Sequence, residues 1–420
     1  MNFKKINLPK KTHFFWLILK HISTSGLLAL KFFLAAKILG PEKMGIAGIV
    51  ILVTSVVESL SETGMLEAVI QSHIKLNPLR SGSVLIIQLL RGGFVTVTLL
   101  LFALPISNIL NSPESYSLIL LAAPISLIRN AVNPGVFLLR RHKDFKKIFF
   151  YEAVGSIFDI SITFTLIYQG FGPEAIVFGM ILGDFLRLFM SWTFFRIPTV
   201  PNINFRVIQD LITFGKWIWG AGVLTVLLNQ IDKILVIKFL GVTEFSFYQM
   251  SSRIAQLVIT DGPILLGQYL YPNFCERNRI SRLNLNKYFK RIFIFMIFVI
   301  FLPLIFLEIS APIIVQSFFG EEWNPMVKLI RLMAIPMYLG AIIAILLPYV
   351  RSIGRPSIIT NTTILQFISL CVLSVPLIYF YQLTGMIMAI SLAGFTAILY
   401  LLFNVYPLTK IILSPSKKKL

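Results

Sequence analysis

Long apolar stretches follow one another along almost the whole chain, from Phe14 to Tyr406. Each is close to or above the roughly 20 residues that an α-helix needs to cross the hydrocarbon core of a bilayer. Short segments that contain charged residues, glycine or proline separate them. The pattern predicts about twelve transmembrane helices, called spans 1 to 12 below, and no separate soluble domain. The predicted spans are 13–38, 45–70, 82–110, 115–139, 147–169, 174–195, 208–239, 245–272, 290–309, 327–350, 357–380 and 384–406.

The first half of the chain aligns weakly with the second half. In each half a long span ends in a Leu-Gly turn, and the next span follows at once. The aligned pairs are Trp16 with Trp217, Lys37 with Lys238, Leu39 with Leu240 and Gly40 with Gly241. Because six spans in each half keep both halves in the same orientation, their symmetry axis would run along the membrane normal. We therefore expect an all-α polytopic membrane protein with two six-helix lobes, 1–200 and 201–420, related by a pseudo-twofold axis.

Composition supports a membrane protein, and the distribution of charge indicates its orientation. Hydrophobic residues make up 56% of the 420 positions and charged residues 13%, which is more apolar material than one soluble core can bury. The net charge of +20 at pH 7 is also typical of nucleic-acid-binding proteins. Most of the 38 lysines and arginines, however, lie in alternate short loops, which is the positive-inside pattern of membrane proteins. We expect both termini in the cytoplasm, a retained first span and no nucleic-acid partner.

The sequence offers no pattern for enzyme chemistry. Its two cysteines, Cys275 and Cys371, have neither metal-ligand nor disulfide-framework spacing. The sequence contains no metalloprotease helix, P-loop, dinucleotide turn or nucleophile elbow. We predict that the protein is not an enzyme and needs no cofactor or metal ion.

Charged side chains inside the spans are the informative feature. A charge at the centre of a bilayer costs about 2.5–3.5 kcal/mol on insertion scales, so several of them predict a polar or ion-paired interior. In span 2, Ser55, Glu58 and Glu62 share one helical face, and Glu58 lies near the middle of the membrane. Glu58 and Glu62 are therefore candidates for a charge pair or for binding a coupling ion.

Span 7 carries a second polar cluster, formed by Asn229, Asp232 and Lys233. The repeat aligns Lys31 of span 1 with Asp232, so these opposite charges are expected to pair across the two halves. One interpretation is an ion pair that only holds the halves together. The other is a cavity whose charges bind substrate or a coupling ion.

Three further residues suit an anionic ligand. Arg129 and Asn130 in span 4 and Arg253 in span 8 lie well inside their spans. A guanidinium group there can hold a phosphate through forked hydrogen bonds, although a hydrogen bond to a backbone carbonyl is the alternative.

Other polar residues in the spans favour a structural interpretation. Asp159 and Asp184 in spans 5 and 6 are expected to pair with Arg187 or to take part in a proton relay. Arg187 itself and Arg91 lie nearer to span ends, where a long side chain can extend to the headgroups.

Prolines and glycines predict interruptions in three spans. Span 8 contains the sequence DGP at 261–263, and span 2 carries Gly64 at a corresponding depth. Paired interruptions in the two halves point to a transport site. Pro124 and Pro134 predict kinks in span 4.

Several stretches resemble the oligosaccharide flippase family, the Wzx-type polysaccharide exporters, which belong to the multidrug/oligosaccharidyl-lipid/polysaccharide superfamily. The likeness extends from span 1 to span 8, with one further similar segment between spans 9 and 10. The stretches are LGPEKMG at 39–45, ETGM at 62–65, IQ at 70–71, LLRRHKDFK at 138–146, FGKW at 214–217, NQIDK at 229–233, FLG at 239–241 and FGEEW at 319–323.

This resemblance implies the two-lobed fold of multidrug antiporters, which opens alternately to each side of the membrane around a cationic cavity lined by helices 1, 2, 7 and 8. It implies a bacterial inner-membrane protein that flips undecaprenyl-pyrophosphate-linked oligosaccharide from the cytoplasmic to the outer leaflet for surface polysaccharide synthesis. Glu58, Glu62 and Asp232 are then the expected sites of proton or sodium coupling or of charge pairing. The expected substrate-binding residues are Lys31, Arg129, Asn130, Asn229, Lys233 and Arg253.

Two other functions remain open at this point. A multidrug or small-solute antiporter on the same fold would depend on carboxylates in its cavity more than on basic groups. A membrane polysaccharide polymerase or ligase would carry a large outer loop, whereas the longest outer connection here, between spans 9 and 10, is short.

Overall fold

The computed structural model describes residues 19, 22–62, 78–142, 144–200 and 205–410, and the regular structure in these ranges is helical throughout. The α-helices are α1 Leu27–Leu60, α2 Pro78–Ile109, α3 Ser115–Ala122, α4 Pro124–Asn130, α5 Gly135–Arg141, α6 Phe145–Tyr168, α7 Glu174–Thr193, α8 Phe205–Leu240, α9 Val242–Ala255, α10 Asp261–Ile280, α11 Arg282–Phe318, α12 Pro325–Ser352 and α13 Pro356–Lys410. Two π-helical turns, Ile22–Gly26 and Gln256–Thr260, and a 3-10 turn, Glu321–Trp323, complete the assignment.

Within the described residues, seven helices are long and apolar enough to cross a membrane. Two of them contain two predicted spans each, because α1 turns at Gly40 and α13 turns at Gln382. The remaining predicted spans correspond to α8, to α3 with α4 and α5, and to α9 with α10. The all-α, multi-pass architecture expected from the apolar pattern is therefore confirmed.

The aligned glycines of the repeat share one unusual backbone conformation. Gly40 has φ 76° and ψ 172°, and Gly241 has φ 92° and ψ −179°. This region is open essentially only to glycine, since a Cβ atom would clash with the backbone. Each glycine stands at the break between two successive predicted spans, so the two breaks share one backbone conformation.

Span 4 differs from its prediction, because it is three short helices and not one. Pro124 begins the second of them, and an irregular segment separates the second from the third. Helix α7 covers this segment: the Asn133 N–H donates to the Ser191 hydroxyl at 3.1 Å, and the Trp192 indole donates to the Ala131 carbonyl at 3.0 Å. Irregular backbone within a membrane is tolerated only when protein or water satisfies its polar groups in this way.

The interruption predicted in span 8 is a π-helical turn and not a break. The Asp261 N–H bonds to the Gln256 carbonyl five residues earlier, and the helix continues into α10. Pro263 has no N–H to donate, and the wider turn adjusts the hydrogen-bond pattern just before it. The matching position predicted in span 2, Gly64, lies outside the described residues.

The chain forms two compact units, one ending at Val226 and the other beginning at Leu227. This boundary lies inside α8, and the predicted lobes 1–200 and 201–420 with their symmetry axis stay a prediction. In the second unit α12 is the central helix, in contact with α9, α10, α11 and α13. An aromatic core lies beside it, where the rings of Phe289 and Tyr349 stack with centroids 4.0 Å apart and Phe274 packs against both.

Candidate functional site

A cavity of about 530 Å³ with several charged side chains in its walls lies within the first unit. Residues of α1, α4, α5, α6 and α7 and of the π-helical turn before α1 form its walls. The charged or hydroxyl-bearing residues that line it are Thr24, Lys31, Thr54, Ser55, Arg129, Tyr151, Glu152, Ser156, Asp159, Asp184 and Arg187. The cavity brings together two of the predicted substrate-binding residues, Lys31 and Arg129.

Lys31 forms a buried ion pair on one side of this cavity. Its ammonium lies 2.6 Å from Asp159 Oδ1 and also donates to the Ile176 carbonyl at 3.3 Å, and the side chain has no exposed surface. The repeat alignment paired Lys31 with Asp232, but the structure gives each of them a partner in its own unit. A fully buried ammonium group needs a carboxylate in direct contact, and Asp159 of α6 supplies it from within the first unit.

Two glycines of α7 allow Asp159 to occupy this position. A Cβ atom on Gly179 would overlap the Thr163 hydroxyl and lie 2.6 Å from Asp159 Oδ1. A Cβ atom on Gly183, one turn further on, would lie 2.7 Å from Asp159 Cβ. Small residues at this spacing let α6 and α7 approach closely, as in other membrane helix pairs.

A second chain of ion pairs runs from Arg129 along α6 and α7. Arg129 Nε lies 2.6 Å from Asp184 Oδ2, and Arg187 Nη1 lies 2.7 Å from the other oxygen of the same carboxylate. Arg187 also donates to the Ser156 hydroxyl at 2.8 Å and lies 3.6 Å from the Glu152 carboxylate. The predicted partnership of Asp184 with Arg187 is present, so Arg187 points into the unit and does not extend to the headgroups.

Glu58 of α1 is the second carboxylate on Arg129. Its two oxygens lie 3.2 and 3.5 Å from Arg129 Nη1. Arg91 of α2 donates to the Glu58 carbonyl at 2.9 Å and lies 3.8 Å from the Glu62 carboxylate. Both candidate carboxylates of span 2 are therefore ion-paired at the end of α1.

The Asn130 side chain is engaged within its own helix. Its amide nitrogen donates to the Ser126 carbonyl at 2.8 Å, and the residue is 8% exposed. Asn130 follows Arg129 in sequence, but only Arg129 lines the cavity.

Three further predicted substrate-binding residues belong to the second unit. Lys233 donates to the Asn229 carbonyl at 2.8 Å and to the Gln230 side chain at 2.9 Å, both within α8. The Asn229 side chain is exposed, and Arg253 is partly buried in the last turn of α9.

Asp232 lies in α8 with most of its surface buried. The Tyr248 hydroxyl donates to Asp232 Oδ2 at 2.5 Å. The other oxygen, Oδ1, is buried and has no hydrogen-bond partner within the described residues. The acid is therefore held by a neutral hydroxyl group, in contrast to the carboxylates of the first unit.

Sequence reasoning missed the role of span 5 in this site. Glu152, Ser156, Asp159 and Thr163 recur at intervals of four, three and four residues, so they form a stripe on one face of α6. That periodic stripe was visible in the sequence and points to a polar helix face. Its partners were not visible, because they come from α1, α4 and α7.

Comparison with known proteins gives a family match. The family model described as "Polysaccharide biosynthesis protein" matches residues 34–328, which include Glu58, Arg129 and Asp184. Among curated proteins, the lipopolysaccharide biosynthesis protein WzxC of Escherichia coli K12 is 21% identical over 353 residues, covering 81% of this chain and 67% of WzxC. The succinoglycan biosynthesis transport protein ExoT of Rhizobium meliloti is 21% identical over 351 residues, covering 82% of this chain and 69% of ExoT.

Solved structures share the fold at lower sequence identity. The lipid II flippase MurJ in an inward closed conformation superposes with a TM-score of 0.76 at 15% identity, covering 93% of this chain and 87% of MurJ. An inward-facing multidrug resistance transporter of the MATE family superposes with a TM-score of 0.71 at 15% identity, covering 94% of this chain and 99% of the transporter. These likenesses show a membrane transporter fold.

Proposed function

Because the chain belongs to the polysaccharide biosynthesis protein family, we propose that it is a flippase for undecaprenyl-pyrophosphate-linked oligosaccharide. It would move this lipid from the cytoplasmic to the outer leaflet of a bacterial inner membrane, with both of its termini in the cytoplasm. The observation that carries the proposal is the family match over residues 34–328, which spans most of the ion-paired cavity. The names of its relatives, a lipopolysaccharide biosynthesis protein and a succinoglycan transport protein, support the same class of cargo.

The chemistry of the cavity is suited to the charged part of such a lipid. A diphosphate crosses hydrocarbon very slowly, because an unpaired charge there is strongly penalised. Arg129 lines the cavity, and its side chain is 38% exposed, so its guanidinium group is accessible to an anion. We infer that Arg129 binds the diphosphate, that the sugar crosses in water, and that the lipid tail stays in the bilayer.

The other predicted substrate-binding residues fall into two groups, one in each unit. Lys31 is fully buried in its ion pair with Asp159 and the Asn130 amide donates to Ser126, so we assign both a positioning role in this conformation. Asn229, Lys233 and Arg253 stay candidates for substrate contact from the second unit.

Transport requires that the site be open to one side of the membrane at a time. A ligand or ion drives such a cycle only if it binds the two states with different affinity. Glu58, Glu62 and Asp232 are the candidate groups for proton or sodium coupling, and the unpaired Oδ1 of Asp232 supports including it.

Deleting the gene and supplying it again on a plasmid tests the proposed function. We expect lipid-linked repeat units to accumulate on the cytoplasmic leaflet of the deletion strain and surface polysaccharide to be lost. The wild-type gene should restore both, Arg129→Gln should restore neither, and Arg331→Gln should restore both. Arg331 is a suitable control because it is also a partly exposed arginine paired with a glutamate, at 3.5 Å from Glu308.

A different result would select the antiporter. If the deletion lowers tolerance to drugs or other small solutes and leaves surface polysaccharide intact, the flippase proposal is wrong.

A further inference from the structure

The two carboxylates on Arg129 are held very differently. Asp184 lies 2.6 Å from Arg129 Nε, is 6% exposed, and is also bound by Arg187 at 2.7 Å. Glu58 lies 3.2 Å from Nη1 and is 20% exposed. Its side chain makes ion-pair contact with Arg129, and the contact of Arg91 is to the Glu58 backbone. Asp184 is therefore fixed between two arginines, whereas Glu58 is the more loosely held partner.

Carboxylates occupy two of the three nitrogens of the Arg129 guanidinium group. Nε is used by Asp184 and Nη1 by Glu58, while no described residue accepts a hydrogen bond from Nη2. A phosphate group binds arginine best through two parallel N–H groups. If Glu58 withdraws, Nη1 and Nη2 together offer that fork while Asp184 keeps the side chain in place.

The charge balance of the ion pairs favours such an exchange. The described ion pairs of this region contain four cationic side chains and five carboxylates, so they carry no excess positive charge. The cations are Lys31, Arg91, Arg129 and Arg187, and the carboxylates are Glu58, Glu62, Glu152, Asp159 and Asp184. An anion that entered while all five carboxylates kept their places would find no uncompensated cation among these pairs.

We propose that Glu58 is a displaceable counter-ion of Arg129, and that the diphosphate of the cargo replaces Glu58 on the outer edge of the guanidinium group. Asp184, held by Arg187, remains and keeps Arg129 oriented. Glu58 then returns when the diphosphate leaves, so it both excludes weakly charged anions and helps to release the cargo. This inference rests on the proposed function, which it deepens by assigning a specificity-determining residue.

Titration of the purified full-length protein with inorganic pyrophosphate, at fixed ionic strength, tests this assignment. Glu58→Gln keeps the size of the side chain and removes its charge. We expect it to bind pyrophosphate about tenfold or more tightly than wild type, since a charged competitor for the same N–H group is lost. The double variant Glu58→Gln/Arg129→Gln should lose this gain.

Two further variants keep the result interpretable. Glu308→Gln removes the same charge from the exposed pair with Arg331 and should leave pyrophosphate affinity unchanged. Glu58→Asp retracts the carboxylate but keeps its charge, and should give an affinity between those of wild type and Glu58→Gln. It also serves if Glu58→Gln does not fold. Pyrophosphate affinity that is unchanged or weaker in the Glu58 variants would overturn the proposal.

The gene-deletion experiment separates this inference from the proposed function. If wild type restores surface polysaccharide but the Glu58 variants bind pyrophosphate no better, the counter-ion role is wrong and the flippase stands. If Glu58→Gln binds pyrophosphate more tightly but the deletion leaves lipid-linked sugars unaffected, the anion site stands and the flippase does not.

Discussion

The two units of this chain bury polar groups inside apolar helices in different ways. The first unit connects them into ion pairs, from Lys31 with Asp159 to Arg129 with Asp184. In the second unit Asp232 faces a tyrosine hydroxyl, and the core beside α12 is built from stacked aromatic rings. Yet Lys31 and Asp232 are aligned by the repeat, and the glycine turns that follow them have the same backbone conformation. The two glycine turns thus share a backbone conformation, while the charged residues before them are held by different partners.

The energetics of buried ion pairs bear on why the two units differ in this way. Replacing such a pair with well-packed apolar residues is often neutral or stabilising, whereas removing one partner is strongly destabilising. The connected ion pairs beside the cavity of about 530 Å³ are therefore not explained by a gain in stability alone. Anion binding is the role proposed for this network above, and the following changes test the contrast between the two units.

The largest effect is expected from Asp184→Ala. This change leaves Arg129 and Arg187 side by side without their shared carboxylate, which should lower the free energy of unfolding by about 4 kcal/mol. Unfolding in detergent, followed by circular dichroism, measures it. Glu308→Ala removes an exposed carboxylate paired with Arg331 and should cost less than about 1 kcal/mol. Equal losses in the two variants would show that the buried network is not structurally connected through Asp184.

Lys31→Met should destabilise the protein by about 3 kcal/mol, because it leaves Asp159 buried without its cation. The double variant Lys31→Met/Asp159→Leu should recover most of that loss, since an apolar pair needs no compensation there. Unfolding and transport measured on both variants separate the two roles of Lys31. If the double variant is stable but still fails to transport, the Lys31–Asp159 pair contributes more than stability.

Gly179→Ala should lower the free energy of unfolding by about 1–3 kcal/mol, because its methyl group would overlap the Thr163 hydroxyl and approach Asp159. The matched control is Gly93→Ala in α2, where a Cβ atom meets no neighbour within 4 Å. That control should be neutral or slightly stabilising, since alanine favours helix over glycine. A neutral Gly179→Ala would contradict the close approach of α6 and α7.

The smallest effect is expected from Tyr248→Phe in the second unit. Losing the hydrogen bond to Asp232 should cost about 1–2 kcal/mol on unfolding. Tyr338→Phe is the control, because its hydroxyl makes only a long hydrogen bond of 3.4 Å to the Ile297 carbonyl. If both variants lose the same stability, the Asp232 contact contributes nothing specific and the contrast between the units becomes weaker.

Most of the fold followed from the sequence because hydropathy reports membrane spans directly. The exceptions are local, and proline causes them. Pro124 and Pro134 predicted kinks, but the sequence did not show that Ser191 and Trp192 of α7 would satisfy a separated backbone. At 261–263 the sequence indicated a break, and the helix absorbed the proline with a π-helical turn instead.

The candidate site was predictable in its residue types and less so in its partners. Charges at membrane depth identified Lys31, Glu58 and Arg129 as unusual, because each has to be paired or hydrated. Their partners, Asp159 and Asp184, come from other helices, and the sequence alone does not specify which helix faces meet. The repeat alignment suggested Asp232 for Lys31, but an alignment of two segments does not specify which side chains meet.

Translocation of undecaprenyl-pyrophosphate-linked oligosaccharide in reconstituted vesicles tests the central claim most directly. Wild type, Arg129→Gln and Arg331→Gln should be compared at equal amounts of folded protein in the membrane. We predict that wild type and Arg331→Gln translocate the lipid and that Arg129→Gln loses about tenfold or more of the rate, as expected for a charge-assisted contact. Full translocation by Arg129→Gln, or none by wild type, would contradict the account.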